Sequence, residues 1–189
     1  MAVETELKAR VAEPEQLKNA LSAEGSYCYG YHKKDSYWAF PCHKRRQLRI
    51  RNEEKTFPDG HLSRSVIVTY KTREMYGEIE VNNEREFTIS DSAAFEEILT
   101  ELGMEPDIEK EKQGWAWKLN TENDGPPVLA ELSRLTRLGW FIELEIMGDA
   151  RDEQTLRQNS ERLLALLEKL GISRNSTETR PYTELLRTL

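Results

Sequence analysis

The sequence is poor in the side chains that build most nucleophilic and zinc sites. Its 189 residues include two cysteines and three histidines. Cys28 and Cys42 have no secretory context, so we expect reduced thiols rather than a disulfide. The histidines are scattered in predicted loops, where we expect ordinary surface roles. No Ser-His-Asp or Cys-His arrangement is recognisable, and the sequence therefore does not predict catalysis through a covalent nucleophile.

Long apolar runs are missing as well. No stretch approaches the ~20 apolar residues that a membrane-spanning helix needs. The N-terminus has no basic region followed by an apolar run, which is the pattern typical of a secretory signal. We therefore expect a cytoplasmic protein with no membrane partner.

An excess of positive charge is also absent. The chain has 34 acidic and 27 basic residues and a net charge of −7. This balance disfavours nucleic acid as a partner, so any polyanion must be bound by a local basic cluster. The length predicts one domain over residues 1–189. It leaves open whether the protein is a monomer or a homodimer.

The first predicted strand separates charged from apolar side chains. It contains Glu4-Thr5-Glu6-Leu7-Lys8 and continues to Arg10. Side chains two residues apart share a face of a strand. Glu4, Glu6, Lys8 and Arg10 should therefore lie on one side, with Leu7 on the other. Any single strand with one solvated face has the same pattern, which is the alternative interpretation.

Pairs of like charge then recur at the same spacing along the chain. They are Arg49 with Arg51, Glu78 with Glu80, Lys110 with Lys112, and Glu143 with Glu145. Like charges on one strand face repel each other, so the repetition indicates that a ligand lies between them. Paired carboxylates suit hard cations, and paired Arg or Lys side chains suit phosphate oxygens.

Glu4-x-Glu6-x-Lys8 resembles the ExExK signature of the CYTH, or triphosphate tunnel, metalloenzymes. This family includes class IV adenylyl cyclases, thiamine triphosphatases and inorganic triphosphatases. Later segments resemble the family's motifs in the same order. They are Asp35-Ser36-Tyr37, Leu48-Arg49-Ile50-Arg51, Thr69-Tyr70-Lys71, Leu138-Gly139, Glu143-Leu144-Glu145 and the tail Arg180 to Leu186.

The sequence departs from the family's pattern at two positions. Lys112 stands where the family usually has an arginine, which keeps the charge but loses the planar fork that grips phosphate twice. Ser133 stands where the family tends to have an aspartate. Glu131, two residues earlier on the same face, could take over that role.

The fold class predicted from the strand count is α+β. About eight strands are interrupted by helices without a βαβ rhythm, which indicates a mainly antiparallel sheet. The family resemblance implies that the sheet closes into an eight-stranded β-barrel, a tunnel with helices packed outside. Charged faces would point inward and apolar faces outward. The alternation itself does not distinguish a closed tunnel from an open groove.

The resemblance also implies a set of site residues. Glu4, Glu6, Glu143 and Glu145 would bind Mg²⁺ or Mn²⁺, with Glu78, Glu80 and Glu131 as additional candidates. Phosphate would be bound by Lys8, Arg49, Arg51, Lys71, Lys110 and Lys112. Of these, Lys8, Arg49 and Lys71 would be catalytic.

The resemblance implies a metal-dependent enzyme acting on a nucleoside triphosphate or another triphosphate. We favour a class IV adenylyl cyclase that converts ATP into cyclic AMP and pyrophosphate. The first alternative is a thiamine or inorganic triphosphatase, in which Lys8 would deprotonate water because Arg49, Arg51 and Lys71 crowd it. The second is a non-catalytic nucleotide- or polyphosphate-binding module.

Overall fold

The computed structural model of this chain describes residues 3–42, 47–119, 125–148 and 153–189. Its elements, in chain order, are β1 (Val3–Arg10), α1 (Pro14–Glu24), β2 (Gly25–Ala39), β3 (Gln47–Thr56), β4 (Leu62–Tyr76), β5 (Ile79–Ile89), α2 (Ser92–Glu101), β6 (Glu105–Leu119), β7 (Val128–Leu135), β8 (Gly139–Gly148), α3 (Glu153–Lys169), a short 3₁₀ helix (Arg174–Ser176) and α4 (Tyr182–Arg187). The α+β class is confirmed.

The eight strands close into one antiparallel barrel in the order β1-β5-β4-β3-β2-β6-β7-β8. β1 completes the ring because it pairs with both β5 and β8. In the register with β8, Glu6 lies opposite Glu145 and Lys8 opposite Glu143. The sheet is therefore a closed tunnel, and the open groove left possible by the sequence is excluded.

The hydrophobic core lies outside the barrel, between the strands and the helices. One cluster joins Leu7 of β1 to Leu21 of α1 and Leu163 of α3. A second cluster packs Leu99 of α2 on Ile50 and its neighbours. Burying these apolar faces against helices leaves the charged faces of the strands toward the lumen, as the sequence predicted.

Several smaller expectations have different outcomes. Arg10 does not line the tunnel with Glu6 and Lys8, because its guanidinium bonds Glu178 at 3.1 Å and lies over the ring of Phe141. His32 lies on β2 rather than in a loop, although its side chain is at the surface. Both cysteines are free thiols, as expected. None of the described helices has the length and hydropathy needed to cross a membrane.

The turn between β7 and β8 generates a test of backbone strain. Arg137 has a φ of 73° in a turn closed by the bond from Leu138 N–H to the Leu135 carbonyl, at 3.2 Å. A β-carbon costs about 1 kcal/mol in this conformation, whereas glycine adopts it freely. Arg137→Gly should therefore raise the free energy of unfolding by about 0.5–1 kcal/mol in urea denaturation. Arg137→Ala keeps the β-carbon, so an equal gain in that variant would contradict the strain explanation.

Candidate active site

The barrel lumen is a cavity of about 610 Å³. The described side chains that line it include nine acidic and nine basic ones. All but one of the site residues predicted from the sequence are among them, namely Glu4, Glu6, Lys8, Arg49, Arg51, Lys71, Glu80, Lys110, Lys112, Glu131, Glu143 and Glu145. Every predicted i, i+2 pair except Glu78 with Glu80 therefore has both members in one chamber.

Glu78 is the exception, and its predicted place in the site was wrong. It lies in the turn before β5, where its carboxylate accepts a hydrogen bond from Arg174 at 2.7 Å. The alternation was assumed to run from Glu78 to Glu80 along one strand. Gly77, with a φ of 61°, turns the chain there, so only Glu80 faces the lumen.

The two signs of charge occupy opposite walls of the tunnel. Eight of the nine lining acids lie on the neighbouring strands β7, β8, β1 and β5, and eight of the nine bases lie on the neighbouring strands β4, β3, β2 and β6. The exceptions are Lys8 on β1 and Glu53 on β3. The lumen thus has an acidic wall suited to cations and a basic wall suited to anions.

Glu145 is the centre of the acidic wall. Its carboxylate belongs to two triads, one with Glu4 and Glu6 and one with Glu131 and Glu143, whose ligand oxygens lie within 4.8 Å of one another. In the described part of the chain, no Lys or Arg nitrogen lies within 4.0 Å of Glu145, unlike the other lining acids. Burial and the neighbouring carboxylates, Glu4 first, hold the pKa of Glu145 well above its usual range. Clustered hard oxygens of this kind fit a divalent cation.

Asp35 organises the basic wall. Its carboxylate accepts two bonds from Arg51, at 2.8 and 3.0 Å, and lies 3.0 Å from the Lys110 ammonium. Although burial opposes ionisation, Arg51 and then Lys110 lower the pKa of Asp35 well below its usual range. Asp35 therefore fixes the plane of the Arg51 fork and the position of Lys110.

A second buried network joins the two walls. Glu131 accepts bonds from Lys33 at 2.6 Å and from Lys112 at 3.0 Å, and Lys112 also bonds Glu143. Burial opposes ionisation of Glu143, but Lys112 lowers its pKa to about 2. Glu131 thus supplies the inward carboxylate of β7 that Ser133 cannot.

Lys8 differs from the other lining bases. Its ammonium donates to the Arg180 carbonyl at 2.8 Å, and no carboxylate of the described residues lies within 4.0 Å of it. The pKa of Lys8 is lowered mainly by burial, with Arg73 as the cationic neighbour that adds to the effect. The explanation drawn from the sequence was that Arg49, Arg51 and Lys71 crowd Lys8 and lower its pKa. That explanation was wrong.

The C-terminal segment covers one end of the tunnel. The Tyr182 ring lies 4.5 Å from the Lys8 nitrogen and 5.2 Å from the Lys110 nitrogen. Leu129 and Met147 lie at the opposite end, since Met147 pairs with Glu4 and Leu129 with Glu145. Glu4 and Lys8 are four positions apart on β1, or about 13 Å along the strand.

Several lining residues were missed in the sequence. They are Lys33, Asp35, Glu53, Lys55, Arg73, Glu84, Glu86 and Tyr182 in or beside the cavity, and Asn82, which donates to Glu4 and Glu6 of the acidic wall. Most continue an i, i+2 series that the motifs had started. Glu53 and Lys55 extend Arg49-x-Arg51, and Arg73 follows Lys71. Extending each series to the end of its strand would have found them.

The acidic wall predicts an unusual pH dependence of stability without metal. Burial and then the nearby carboxylates raise the pKa of Glu6 from 4.5 to about 8, although Lys71 opposes this. Between these values the unfolded chain releases a proton that the folded protein keeps, so stability falls as pH rises. Glu6→Gln should make the fall in the free energy of unfolding between pH 5 and pH 8 smaller by on the order of 1–3 kcal/mol. Urea unfolding in chelator at about pH 5, 6.5 and 8 measures this.

The control for this experiment is Glu161→Gln, because Glu161 is exposed on α3. That variant should follow the wild-type pH profile. A profile for Glu6→Gln that is as steep as that of the wild type would contradict the raised pKa.

The CYTH domain family matches this sequence over residues 2–182. No curated protein matches the chain by sequence.

Solved structures with the same fold include the PH1819 protein from Pyrococcus horikoshii OT3, with a TM-score of 0.77 and 25% identity over 98% of each chain. A proposed adenylate cyclase from Vibrio parahaemolyticus has a TM-score of 0.74 and 23% identity over 97% of each chain. A proposed adenylyl cyclase from Hippeastrum with a dominant triphosphatase activity has a TM-score of 0.62 and 13% identity, over 100% of this chain and 96% of that chain.

Proposed function

Because this chain belongs to the CYTH domain family, we propose that it is a divalent-metal-dependent enzyme acting on a triphosphate that carries an organic group. Members of this family act on triphosphates and use divalent metals. The observation that carries the proposal is the division of the lumen into an acidic and a basic wall. A metal and a triphosphate bound together would satisfy both walls at once.

The residues of the acidic wall fit a metal ion. Glu4, Glu6 and Glu145 would hold Mg²⁺ or Mn²⁺, and Glu131 and Glu143 offer a second set of oxygens around Glu145. When bound, such an ion neutralises phosphate oxygens and polarises the reacting phosphoryl group.

The basic wall would bind and orient the phosphates. Arg49, Arg51, Lys71, Lys110 and Lys112 point into the same cavity from the three strands β3, β4 and β6. Asp35 keeps Arg51 charged and fixed, so its fork is in place before the substrate arrives. Phosphoryl transfer depends mainly on this positioning and charge stabilisation, without a covalent nucleophile.

The lining also favours a substrate with an organic group. A cavity of about 610 Å³ lies within the range of small-molecule sites, roughly 300–1,000 Å³. Both ends have apolar or aromatic side chains, Tyr37 and Tyr182 at one and Leu129 and Met147 at the other. Inorganic tripolyphosphate would leave this surface unused.

At the finer level, we favour a class IV adenylyl cyclase acting on ATP. The ribose 3′-oxygen attacks the α-phosphorus, a new P–O bond forms, and the bond to pyrophosphate breaks. The neutral amine of Lys8 accepts the 3′-hydroxyl proton, and this form is accessible because burial lowers the pKa of Lys8 and no carboxylate of the described residues lies within 4.0 Å of its nitrogen. Pyrophosphate leaves from the basic wall. This assignment places the adenine ring of ATP at the end of the tunnel beside Tyr182.

The position of Lys8 also supports a second candidate, a triphosphatase. If the organic group occupies the end beside Leu129 and Met147, Lys8 lies near the terminal phosphate instead of the ribose. Lys8 would then take a proton from water that attacks the terminal phosphorus. A non-catalytic binding module would bind the triphosphate with metal and give no product.

The basic wall can be tested through Arg49. Its guanidinium bonds Thr69 at 2.8 Å and Glu86 at 3.2 Å and faces the cavity. Arg49→Ala should weaken pyrophosphate binding by about 2 kcal/mol, because a charged hydrogen-bond donor is lost. Isothermal titration calorimetry with Mg²⁺ measures this. Arg64→Ala, on an exposed arginine that bonds Glu54, should have no effect, and equal losses would contradict a cradle role for Arg49.

The reaction itself can be tested with 3′-deoxy-ATP. A cyclase should bind this analogue without reacting, because the nucleophile is gone, and should convert ATP into cyclic AMP. A triphosphatase uses water, so it should release phosphate from the analogue nearly as fast as from ATP. Product analysis with Mg²⁺ or Mn²⁺ separates the outcomes. Rapid phosphate release from the analogue would overturn the cyclase assignment, and binding without any product would favour the non-catalytic module.

A further inference from the structure

We propose that metal binding to the acidic wall releases Lys71 to the triphosphate, so that metal and anion bind cooperatively through this one side chain. The inference rests on the metal and triphosphate sites proposed above. It adds an exchange of partners within the tunnel that links the two walls.

Lys71 is shared among more carboxylates than it can satisfy. Its ammonium lies 3.1 Å from Glu84, 3.4 Å from Glu80, 3.6 Å from Glu6 and 3.7 Å from Glu4. An ammonium has three N–H donors for these four carboxylates. Lys71 sits on β4 of the basic wall, yet all four partners lie on β1 and β5 of the acidic wall. Without metal, Lys71 is therefore surrounded by side chains of the acidic wall, with Glu84 and Glu80 nearest, rather than available to phosphate.

Two of these four carboxylates are also the candidate metal ligands. Glu4 and Glu6 form the first triad with Glu145. Their contacts with Lys71 are longer than ordinary hydrogen bonds, whereas Lys33 and Lys112 hold Glu131 of the second triad at 2.6 and 3.0 Å. A cation should therefore bind to the first triad more readily than to the second.

The change in charge gives the consequence. When Glu4 and Glu6 turn to a cation, only Glu80 and Glu84 still attract the Lys71 ammonium, so an N–H donor that faced Glu4 and Glu6 becomes free. Lys71 lines the same cavity as Arg49 and has a side chain that is 29% exposed, so the free donor faces the place where phosphate would bind. Asn82 donates to both Glu4 and Glu6, at 3.1 and 3.2 Å, and keeps their oxygens together during the exchange.

Lys33 and Lys112 are bonded closely to a carboxylate of the second triad, and three other bases of the wall are paired outside both triads. Arg51 and Lys110 are held by Asp35, and Lys55 by Glu53 at 2.8 Å, and neither carboxylate belongs to a triad. Because binding free energies are reciprocal, the metal should raise anion affinity and the anion should raise metal affinity through Lys71.

The test is the effect of Lys71→Gln on tripolyphosphate affinity, measured by calorimetry with chelator and with saturating Mg²⁺. Complexation of Mg²⁺ with tripolyphosphate in solution is the same for both proteins and cancels. We expect a loss of about tenfold or more with Mg²⁺ and of less than about threefold without it. Equal losses in the two conditions would overturn the proposal. If wild-type protein binds neither Mg²⁺ nor tripolyphosphate, the proposed function itself fails.

The matched control is Lys55→Gln, which removes one lumen charge whose partner is outside both triads. Its loss of affinity should be the same with and without Mg²⁺. Glu84→Gln provides a second test that keeps Lys71, because it removes the nearest carboxylate without touching a triad. This variant should bind tripolyphosphate several-fold more tightly without metal and gain less from Mg²⁺. A gain from Mg²⁺ as large as in the wild type would contradict the exchange of partners.

Discussion

The requirement that buried charges be balanced governs this structure. Closing the barrel places nine acidic and nine basic side chains in one lumen, where an unpaired charge is costly. Within the described ranges, only Glu145 and Lys8 among them lack an oppositely charged side chain within 4.0 Å. Both are on the acidic side, on the paired strands β8 and β1. The charge balance thus leaves one carboxylate and one amine without an ion pair, and these are the two groups to which the proposed function gives metal binding and proton transfer.

The polar lumen also explains why the helices are needed. In an ordinary small barrel the interior supplies the core, but here the apolar faces point outward. α1 covers the outside near β2, β6 and β7, α3 covers it near β1 and β8, and α2 covers it near β3. Apolar burial comes mainly from this outer shell, whereas the lumen contributes ion pairs. The chemistry and the core therefore occupy opposite faces of the same strands.

The sequence predicted the strands and most of the lumen, but not the pairings within it. Alternation at i and i+2 identifies which side chains share a face, and this was sufficient for Glu4, Arg49 and Glu143. It contains no information on the lateral order of strands or on their tilt. Lys71 of β4 lies 3.7 Å from Glu4 of β1 because β5 is the one strand between β4 and β1 in the barrel. The alternation pattern does not reveal this strand order. The prediction for Glu78 was wrong for a local reason. Gly77 places Glu78 in a turn, so its side chain does not share a strand face with that of Glu80.

The two ends of the tunnel differ, because Lys8 and Tyr182 lie at one end and Leu129 and Met147 at the other. The basic wall can hold a triphosphate in either direction, because its cations are spread along four strands. Lys8 is different, since it sits only at the end covered by Tyr182. A substrate whose organic group lies at that end brings its ribose to Lys8, and a substrate in the reverse direction brings its terminal phosphate there. Under the proposed function Lys8 is the base at one end only, so the direction of binding would select the bond that breaks.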